Sequence, residues 1–172
     1  MPSIPRLLLV CVLAIFAFSG CETVQTAFRS GLPQTVTIDS VPASAEVYIN
    51  GDYYGITPVT TELPRKVTHE VVIERDGYVL QREFFTPQRN ELSQSYIRFG
   101  IMEDLGLYFD LTPGDMVTEI RHSLIPVVVS NEPFEEMTYR VMLADALLES
   151  GSISKKEHSV IYEKLTRFYT TN

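Results

Sequence analysis

Cysteine and tryptophan are the residues that this sequence has least of. Its two cysteines, Cys11 and Cys21, both lie near the amino terminus, and there is no tryptophan. The rest of the chain therefore cannot form disulfides, so an exported domain built from it must be held together by its apolar core. The 9 tyrosines and 9 phenylalanines, within a hydrophobic fraction of 45%, can supply that core.

Basic residues are also scarce. The chain has 14 Lys and Arg against 22 Asp and Glu, for a net charge of −8. A protein of this balance lacks the positive surface that binds nucleic acid, so we expect no nucleic-acid partner. Basic residues would not draw it to an anionic bilayer either, so any membrane attachment must come from a lipid.

The residue patterns of catalytic and metal sites are missing as well. No histidine has a second His or Cys at zinc-ligand spacing, and neither a Gly-x-Ser-x-Gly elbow nor a glycine-rich phosphate loop is present. The acidic residues between positions 104 and 115 lack the regular ligand spacing of a calcium loop. The sequence thus predicts a protein that is not an enzyme and has no metal or cofactor. The residues considered for such sites are His69, His122 and His158, and Asp104, Asp110 and Asp115.

The amino terminus has the three-part layout of a secretory signal. Arg6 supplies a positive charge, and Leu7 to Phe18 is an uncharged stretch of 12 residues. A helix of that length, at ~1.5 Å per residue, is too short to span the ~30 Å hydrocarbon core, which disfavours a transmembrane helix. We therefore interpret residues 1–20 as a cleaved signal peptide.

The end of this stretch carries a lipidation motif. Phe18-Ser19-Gly20-Cys21 places two small residues before a thiol, and it resembles the lipobox of bacterial lipoproteins, in which leucine usually stands where Phe18 is. The resemblance implies cleavage between Gly20 and Cys21, diacylglycerol on the Cys21 thiol and acylation of the new amino group. Several acyl chains, at ~0.8 kcal/mol per buried CH₂, would hold a domain firmly on a bilayer.

The residues after Cys21 indicate which membrane holds the protein and how far the domain can extend from it. In enteric bacteria an aspartate in the next position tends to retain a lipoprotein in the inner membrane, and here that position is Glu22. By this resemblance we expect an outer-membrane protein that faces the periplasm, with the inner membrane or the cell surface as alternatives. The tether, residues 21–34, is polar and contains Gly31 and Pro33. The 13 residues after Cys21 reach at most ~45 Å when extended.

Residues 35–86 predict a small antiparallel β-sandwich. Apolar residues alternate in short segments separated by glycine and proline, which is typical of sandwich strands. Asn50-Gly51 suits a two-residue hairpin turn, because both positions require positive φ. The predicted strands cover residues 35–39, 46–49, 52–54, 59–63, 69–75 and 78–85.

Four motifs in this segment resemble the PEGA domain in order and spacing. They are Pro42-Ala43-Ser44-Ala45, Val47-Tyr48-Ile49-Asn50-Gly51, Gly55-Ile56-Thr57-Pro58 and Asp76-Gly77-Tyr78. The first departs from the family's namesake Pro-Glu-Gly-Ala at its two middle positions. The resemblance implies a transthyretin-like β-sandwich that binds or spaces at a surface and has no catalytic residues.

The segment from 87 to 130 predicts further β-structure. Residues 96–101 and 105–111 read as strands, and residues 112–115 as a turn. Residues 116–124 fit either a strand or a helix, and we favour a strand because the following residues, 126–129, continue as extended chain.

The segment from 131 to 172 predicts a helical hairpin. Asn131 or Ser130 can cap a first helix that has Pro133 in its first turn, and Gly151 can end it. Ser154 and Glu157 form a capping box for a second helix. The segment is similar to the SHOCT module, a family linked to oligomerisation or partner contact, and the resemblance implies self-association or contact with a partner through these helices. The two apolar stripes, expected to face each other, are Met137, Val141, Ala144 and Leu148, and Ile161, Leu165 and Phe168.

The tyrosines at the predicted hairpin are the candidate binding patch. Tyr48, Tyr53 and Tyr54 combine apolar rings with hydroxyls, as residues of binding surfaces often do. The alternative is that Tyr48 packs against a partner on the return strand, and the pattern favours this alternative.

These observations predict a non-catalytic, membrane-anchored envelope lipoprotein whose β-sandwich binds or spaces envelope protein or cell-wall polymer. The alternative is an accessory subunit of a periplasmic lipoprotein complex for assembly or secretion. The predicted organisation is residues 1–20, signal peptide; 21–34, lipidated tether; 35–86, PEGA-like sandwich; 87–130, β-rich segment; 131–172, helical hairpin.

Overall fold

The computed structural model describes residues 29–95, 100–128 and 131–171. The predicted signal peptide, the cleavage site at Gly20 and Cys21, and the lipidation site lie outside these residues. Within them, no helix combines the length and the apolar character that crossing a membrane would require.

The fold is mainly β, with two sheets followed by a pair of helices, as the sequence predicted. One sheet has three strands in the order β4-β1-β8, and the other has five in the order β3-β2-β5-β6-β7. The strands are β1 (Pro33–Val41), β2 (Glu46–Ile49), β3 (Asp52–Ile56), β4 (Val59–Pro64), β5 (His69–Glu74), β6 (Gln81–Arg89), β7 (Phe109–Thr112) and β8 (Asp115–Glu119). The helices are α1 (Leu92–Ser95), α2 (Ile101–Asp104), α3 (Pro133–Glu149) and α4 (Lys155–Thr171).

The hairpin of β2 and β3 confirms the turn prediction. Ile49 pairs with Asp52, which leaves a two-residue loop. Asn50 and Gly51 both have positive φ, 53° and 92°. Asparagine tolerates this conformation and glycine adopts it freely, so the dipeptide sets the register of the hairpin.

All six strands predicted between residues 35 and 86 are present, and the sixth is shifted. It begins at Gln81 rather than Tyr78, and Tyr78 instead forms an isolated antiparallel bridge with His122. The Val79 N–H donates to the Arg121 carbonyl at 2.8 Å, so this stretch satisfies its backbone through a distant segment.

The segment from 87 to 130 contains less strand than predicted. Residues 96–99 lie outside the described part, and Ile101 begins a short helix instead of ending a strand. Gly106, at φ 76°, follows in a turn where an added Cβ would lie 2.9 Å from Lys66 Cγ and 3.0 Å from Gly31 Cα. This close approach bends residues 105–108 away from strand geometry.

The later predictions for this segment were also partly wrong. The favoured strand over residues 116–124 stops at Glu119, and residues 126–128 do not form a strand. The Ile120 N–H still donates to the Val41 carbonyl of β1, but the backbone then turns, and residues 121–123 pair with residues 77–79 instead.

The chain divides into two compact units. Of the described residues, the first comprises 29–37, 60–70, 84–95 and 100–116, and its buried side chains include Val36, Leu63, Phe85 and Leu111. The second comprises 38–59, 71–83, 117–128 and 131–171. Its buried residues in the strands include Ile38, Val47, Ile49, Val71 and Ile73, and Ile120 directly after β8 is buried as well.

The second unit contains the helical hairpin. Ala144 of α3 packs with Ile161 and Leu165 of α4 in one buried cluster, which confirms that these parts of the two stripes face each other, whereas the predicted stripe residues Met137 and Phe168 do not belong to the cluster. Partly buried Val141 and Leu148 pack against this cluster. Its apolar seam is what holds the two helices together.

The helix ends follow the sequence signals with one exception. Gly151, at φ 75°, donates to the Leu148 carbonyl, and the Ser152 N–H donates to Leu147, which is a Schellman ending. The N-cap of α3, however, is Glu132 and makes no side-chain cap bond, so the prediction of Asn131 was wrong, and Ser130 is outside the described residues. Proline disfavours the helical conformation for the residue before it, and Glu132 is non-helical at φ −126° and ψ 68°, so α3 begins at Pro133.

Candidate functional site

The tyrosine patch is a cross-strand pair with an exposed neighbour. Tyr48 and Tyr53 lie opposite each other on β2 and β3, with ring centroids 5.5 Å apart in an edge-to-face arrangement. The Tyr48 hydroxyl donates to Glu46 Oε2 at 2.8 Å, and this hydrogen bond raises the pKa of Tyr48. Tyr53 and Tyr54 are 56% and 41% exposed.

This geometry matches the packing alternative for Tyr48 and leaves the other two rings accessible. Val47 pairs with Gly55 and Tyr48 pairs with Tyr53, so Tyr54 between them has no partner on β2. Tyr54 is therefore the extra residue of a β-bulge. The structure thus brings the three predicted residues together. Their accessible surface is mainly that of Tyr53 and Tyr54.

A cleft of about 510 Å³ in the second unit is the other candidate site. One wall is formed by residues 40–43, which include the start of the Pro42-Ala43-Ser44-Ala45 motif. Ile120 and Ile125 form part of a second wall, and Val160 and Ile161 of α4 part of a third. A concave, mainly apolar space of this size with a few polar groups has the usual character of a binding site.

Hydrogen bonds connect the Pro42-Ala43-Ser44-Ala45 motif with the Gly55-Ile56-Thr57-Pro58 motif. Thr57 is the centre: its N–H donates to the Ala45 carbonyl at 2.8 Å, and its Oγ1 accepts the Ala45 N–H at 3.0 Å. Ser40 Oγ lies 2.7 Å from Thr57 Oγ1, and both side chains are buried. These polar groups satisfy each other, so the motif serves as a structural corner.

Arg75, Tyr78 and Glu157 form a hydrogen-bonded group among the polar residues that line the cleft. Arg75 Nη2 donates to Glu157 Oε1 at 2.5 Å, and the Tyr78 hydroxyl donates to the same oxygen at 3.3 Å. The Arg75 guanidinium lies 4.9 Å from the centre of the Tyr78 ring. Arg75 Nη1 is buried and has no acceptor among the described residues, so the cleft offers one unused donor.

Glu157 is ionised over nearly the whole pH range. Burial alone would raise its pKa, but hydrogen bonds from the Ser154 N–H and hydroxyl, together with Arg75, lower the pKa from 4.5 to about 2. The Ser154 N–H donates to Glu157 Oε2 at 2.8 Å, and the Glu157 N–H donates to Ser154 Oγ at 3.2 Å; this reciprocal pair is the predicted capping box. Glu157 therefore caps α4 and anchors Arg75 at once.

His122 is a buried neutral ring beside this group. It is 3% exposed, and its ring meets Tyr78 edge to face at 4.8 Å. Burial lowers the pKa of His122, and Arg75 adds to that effect, whereas Glu157 opposes it. The Leu124 N–H donates to Nδ1 at 3.2 Å, which places the proton of the neutral ring on Nε2.

The other residues considered from the sequence lie apart and have separate partners. His69 Nε2 bonds to the Pro64 carbonyl at 2.9 Å, and His158 Nε2 to Asp145 at 2.8 Å. Asp110 pairs with Arg65, Asp115 accepts the Thr37 N–H, and the Asp104 carbonyl accepts Lys66 Nζ. Within residues 29–95, 100–128 and 131–171, no group of three or more metal-ligating side chains comes together.

Sequence reasoning missed Arg75 and Tyr78 as site residues. Tyr78 belonged to a recognised motif and Glu157 to a recognised cap, but no local pattern links positions 82 residues apart. Only the fold brings the Asp76-Gly77-Tyr78 turn next to the start of α4.

Comparison with known proteins identifies the β-rich part of the chain. The family model of the PEGA domain matches residues 34–99, a span that holds β1 to β6 and all four sequence motifs but covers less than half of the chain. No curated protein and no solved structure gives a match. Residues 34–99 are therefore a PEGA domain, whose motif end is joined in the second unit by a C-terminal helical hairpin.

Proposed function

We propose that this chain is a non-catalytic, lipid-anchored envelope protein whose PEGA domain binds or spaces envelope protein or cell-wall polymer. The observation that carries the proposal is the PEGA domain at residues 34–99, whose Thr57 hydroxyl bonds to Ser40 and Ala45 in its own corner. A domain built in this way supports a scaffold or binding role. The exposed Tyr53 and Tyr54 are one contact surface, and the cleft lined in part by residues 40–43 is a second.

The anchor in this proposal is Cys21, for which the support is the sequence of residues 1–21. A lipid anchor is consistent with the acidic composition, because a chain with net charge −8 is not attracted electrostatically to an anionic bilayer surface. With Glu22 next to the lipidated residue, the proposed location is the outer membrane on its periplasmic face. A tether of 13 residues keeps the domain within roughly 45 Å of that membrane.

The chain offers a matched pair of variants to test the anchor. Cys21→Ser should abolish incorporation of labelled fatty acid and release the protein from membranes, whereas Cys11→Ser should leave both unchanged. Membrane fractionation then gives the location, and protease added to intact cells tests which side the domain faces. Labelling that survives Cys21→Ser would refute the anchor, and recovery in the inner membrane would refute the outer-membrane assignment.

The binding role requires a separate experiment. The full chain is incubated with envelope extract and with purified cell-wall polymer, and the retained material is compared with that of Tyr53→Ser and Tyr54→Ser variants. Tyr162→Ser is the control, because Tyr162 is a similarly exposed tyrosine, at 48%, on α4. We expect the hairpin variants to lose retention and the control to keep it. Equal retention by all four proteins would show that the hairpin tyrosines are not the contact surface.

A further inference from the structure

The outer face of α3 presents three large apolar side chains that belong neither to the tyrosine patch nor to the cleft. Phe134, Tyr139 and Met142 are 79%, 62% and 65% exposed. Phe134 and Met142 lie in one i, i+4 row of the helix with exposed Thr138 between them, and Tyr139 is three positions before Met142 on the neighbouring row. A solvated helix normally has polar residues on this side.

The same face is acidic at both ends. Glu135 and Glu149 are exposed, 14 positions or ~21 Å apart along the axis, and neither has an ion-pair partner in the described part of the chain. Asp145 lies between them with 57% of its side chain exposed, although it bonds to His158. The only basic residue of α3, Arg140, points elsewhere, because it donates to Glu136 and to the Leu124 carbonyl.

The carboxylates on the outer face of α3 indicate what kind of molecule can bind there. A second copy that presented its own α3 would place carboxylates opposite carboxylates, which is unfavourable. An anionic bilayer would be repelled for the same reason. A helix with apolar residues on one side and Lys or Arg about 14 positions apart would bury the Phe134–Met142 row and pair with Glu135 and Glu149.

We propose that the outer face of α3 is a docking site for a basic amphipathic helix of a partner protein. The apolar row supplies the buried contact, and the two flanking glutamates set the register and the orientation of the partner. This function is separate from ligand binding by the PEGA domain and does not rest on it.

The test uses the full chain in phosphatidylcholine nanodiscs, with empty nanodiscs as the blank. Two labelled 18-residue probes are compared by fluorescence anisotropy: an amphipathic Leu/Lys helix and its Leu/Glu counterpart. We expect the Leu/Lys probe to bind at least tenfold more tightly, with an affinity that falls as salt is added. Equal binding of the two probes would overturn the proposal.

Matched variants locate the binding. Phe134→Ser and Met142→Ser should each weaken the Leu/Lys complex about tenfold, as expected for central anchors, while Tyr162→Ser on α4 changes it less than twofold. Glu135→Lys with Glu149→Lys should weaken it by a similar factor. Glu62→Lys with Glu91→Lys changes the net charge equally but in the first unit, and should leave binding nearly unchanged. Circular dichroism melting verifies that each variant is folded.

Three results would overturn the proposal. The first is equal weakening by the two double charge variants, which would mean that net charge alone drives binding. The second is a dimer in sedimentation that Phe134→Ser dissociates, which would make the face an interface between copies. The third is binding of the full chain to anionic vesicles that is lost with Met142→Ser, which would make it a membrane contact.

Discussion

The two C-terminal helices have the same length and share one buried seam, yet they differ at their starts and on their outer faces. Helix α4 begins with the capping box of Ser154 and Glu157, and the same glutamate holds Arg75. Helix α3 begins at Pro133 with no side-chain cap. On the exposed side, α4 carries mostly polar residues, whereas α3 presents Phe134, Tyr139 and Met142.

This difference separates two tasks within the second unit. The start of α4 bonds to the turn that follows β5, so α4 is the helix that ties the hairpin to the motif end of the sandwich. Helix α3 is held through its inner seam and through Arg140. Its outer residues do not serve the fold, which leaves them available for a partner.

The shared seam should be where both helices are most sensitive. Leu165 is fully buried in the cluster with Ala144 and Ile161, so Leu165→Ala should cost about 3 kcal/mol of unfolding free energy. The exposed Tyr162 on the same helix is the control, and Tyr162→Ala should cost less than about 0.5 kcal/mol. Urea unfolding measures both. Similar losses for the two variants would mean that the seam does not hold the hairpin.

The helix starts should respond unequally. Ser154→Ala removes the hydroxyl that accepts the Glu157 N–H and should cost about 1 kcal/mol, the usual value for a lost cap. Glu132→Ala, at the uncapped start of α3, should change stability by only a few tenths of a kcal/mol. The same denaturation assay compares them, and equal costs would remove the distinction between the two starts.

The pH dependence of stability tests the role of Glu157. Its pKa is lowered from 4.5 to about 2 in the folded chain, so the unfolded chain binds the proton more readily. The stabilisation is therefore complete above pH 4.5 and is lost as the pH falls from there to about 2. Comparison of thermal melts of the native chain and Glu157→Gln across this window should show a difference that shrinks as the pH falls. A difference independent of pH would contradict the ionised Arg75–Glu157 pair.

The smallest effect is expected on the outer face of α3. Met142 is 65% exposed, so Met142→Ser should change the unfolding free energy by no more than about 0.5 kcal/mol. Val141→Ser, on the adjacent inner position that packs against the cluster, is the matched comparison and should cost clearly more. A large loss from Met142→Ser would mean that this face is already packed within the chain.

Much of this architecture could be predicted from short stretches of sequence. Asn50-Gly51 specified a hairpin because φ is positive at both positions, and Gly151 and the Ser154–Glu157 pair specified helix ends through bonds within a few residues. The Pro42-Ala43-Ser44-Ala45 and Gly55-Ile56-Thr57-Pro58 motifs marked residues that meet in one corner. The start of α3 is an exception, because its N-cap is Glu132 and not the predicted Asn131. Proline disfavours the helical conformation in the residue before it, which explains why the helix begins at Pro133.

The segment from 100 to 108 could not be predicted in the same way. Strands were predicted over residues 96–101 and 105–111, but at residues 105–108 the backbone turns, where Gly106 passes close to Lys66 and Gly31. That requirement comes from residues at least 40 positions away in the chain. The periodicity of the segment itself carries no trace of it.

The sequence by itself determined the local geometry of this protein: turn, caps, strand alternation and the apolar stripes of the two helices. These depend on backbone preferences and on bonds that span only a few positions. Only the tertiary structure decided that Glu157 meets Arg75, that Tyr78 leaves the strand to pair with His122, and which apolar residues of α3 stay outside. Such pairings depend on which distant surfaces become buried together, because burial free energy depends on the area removed from water and not on sequence separation.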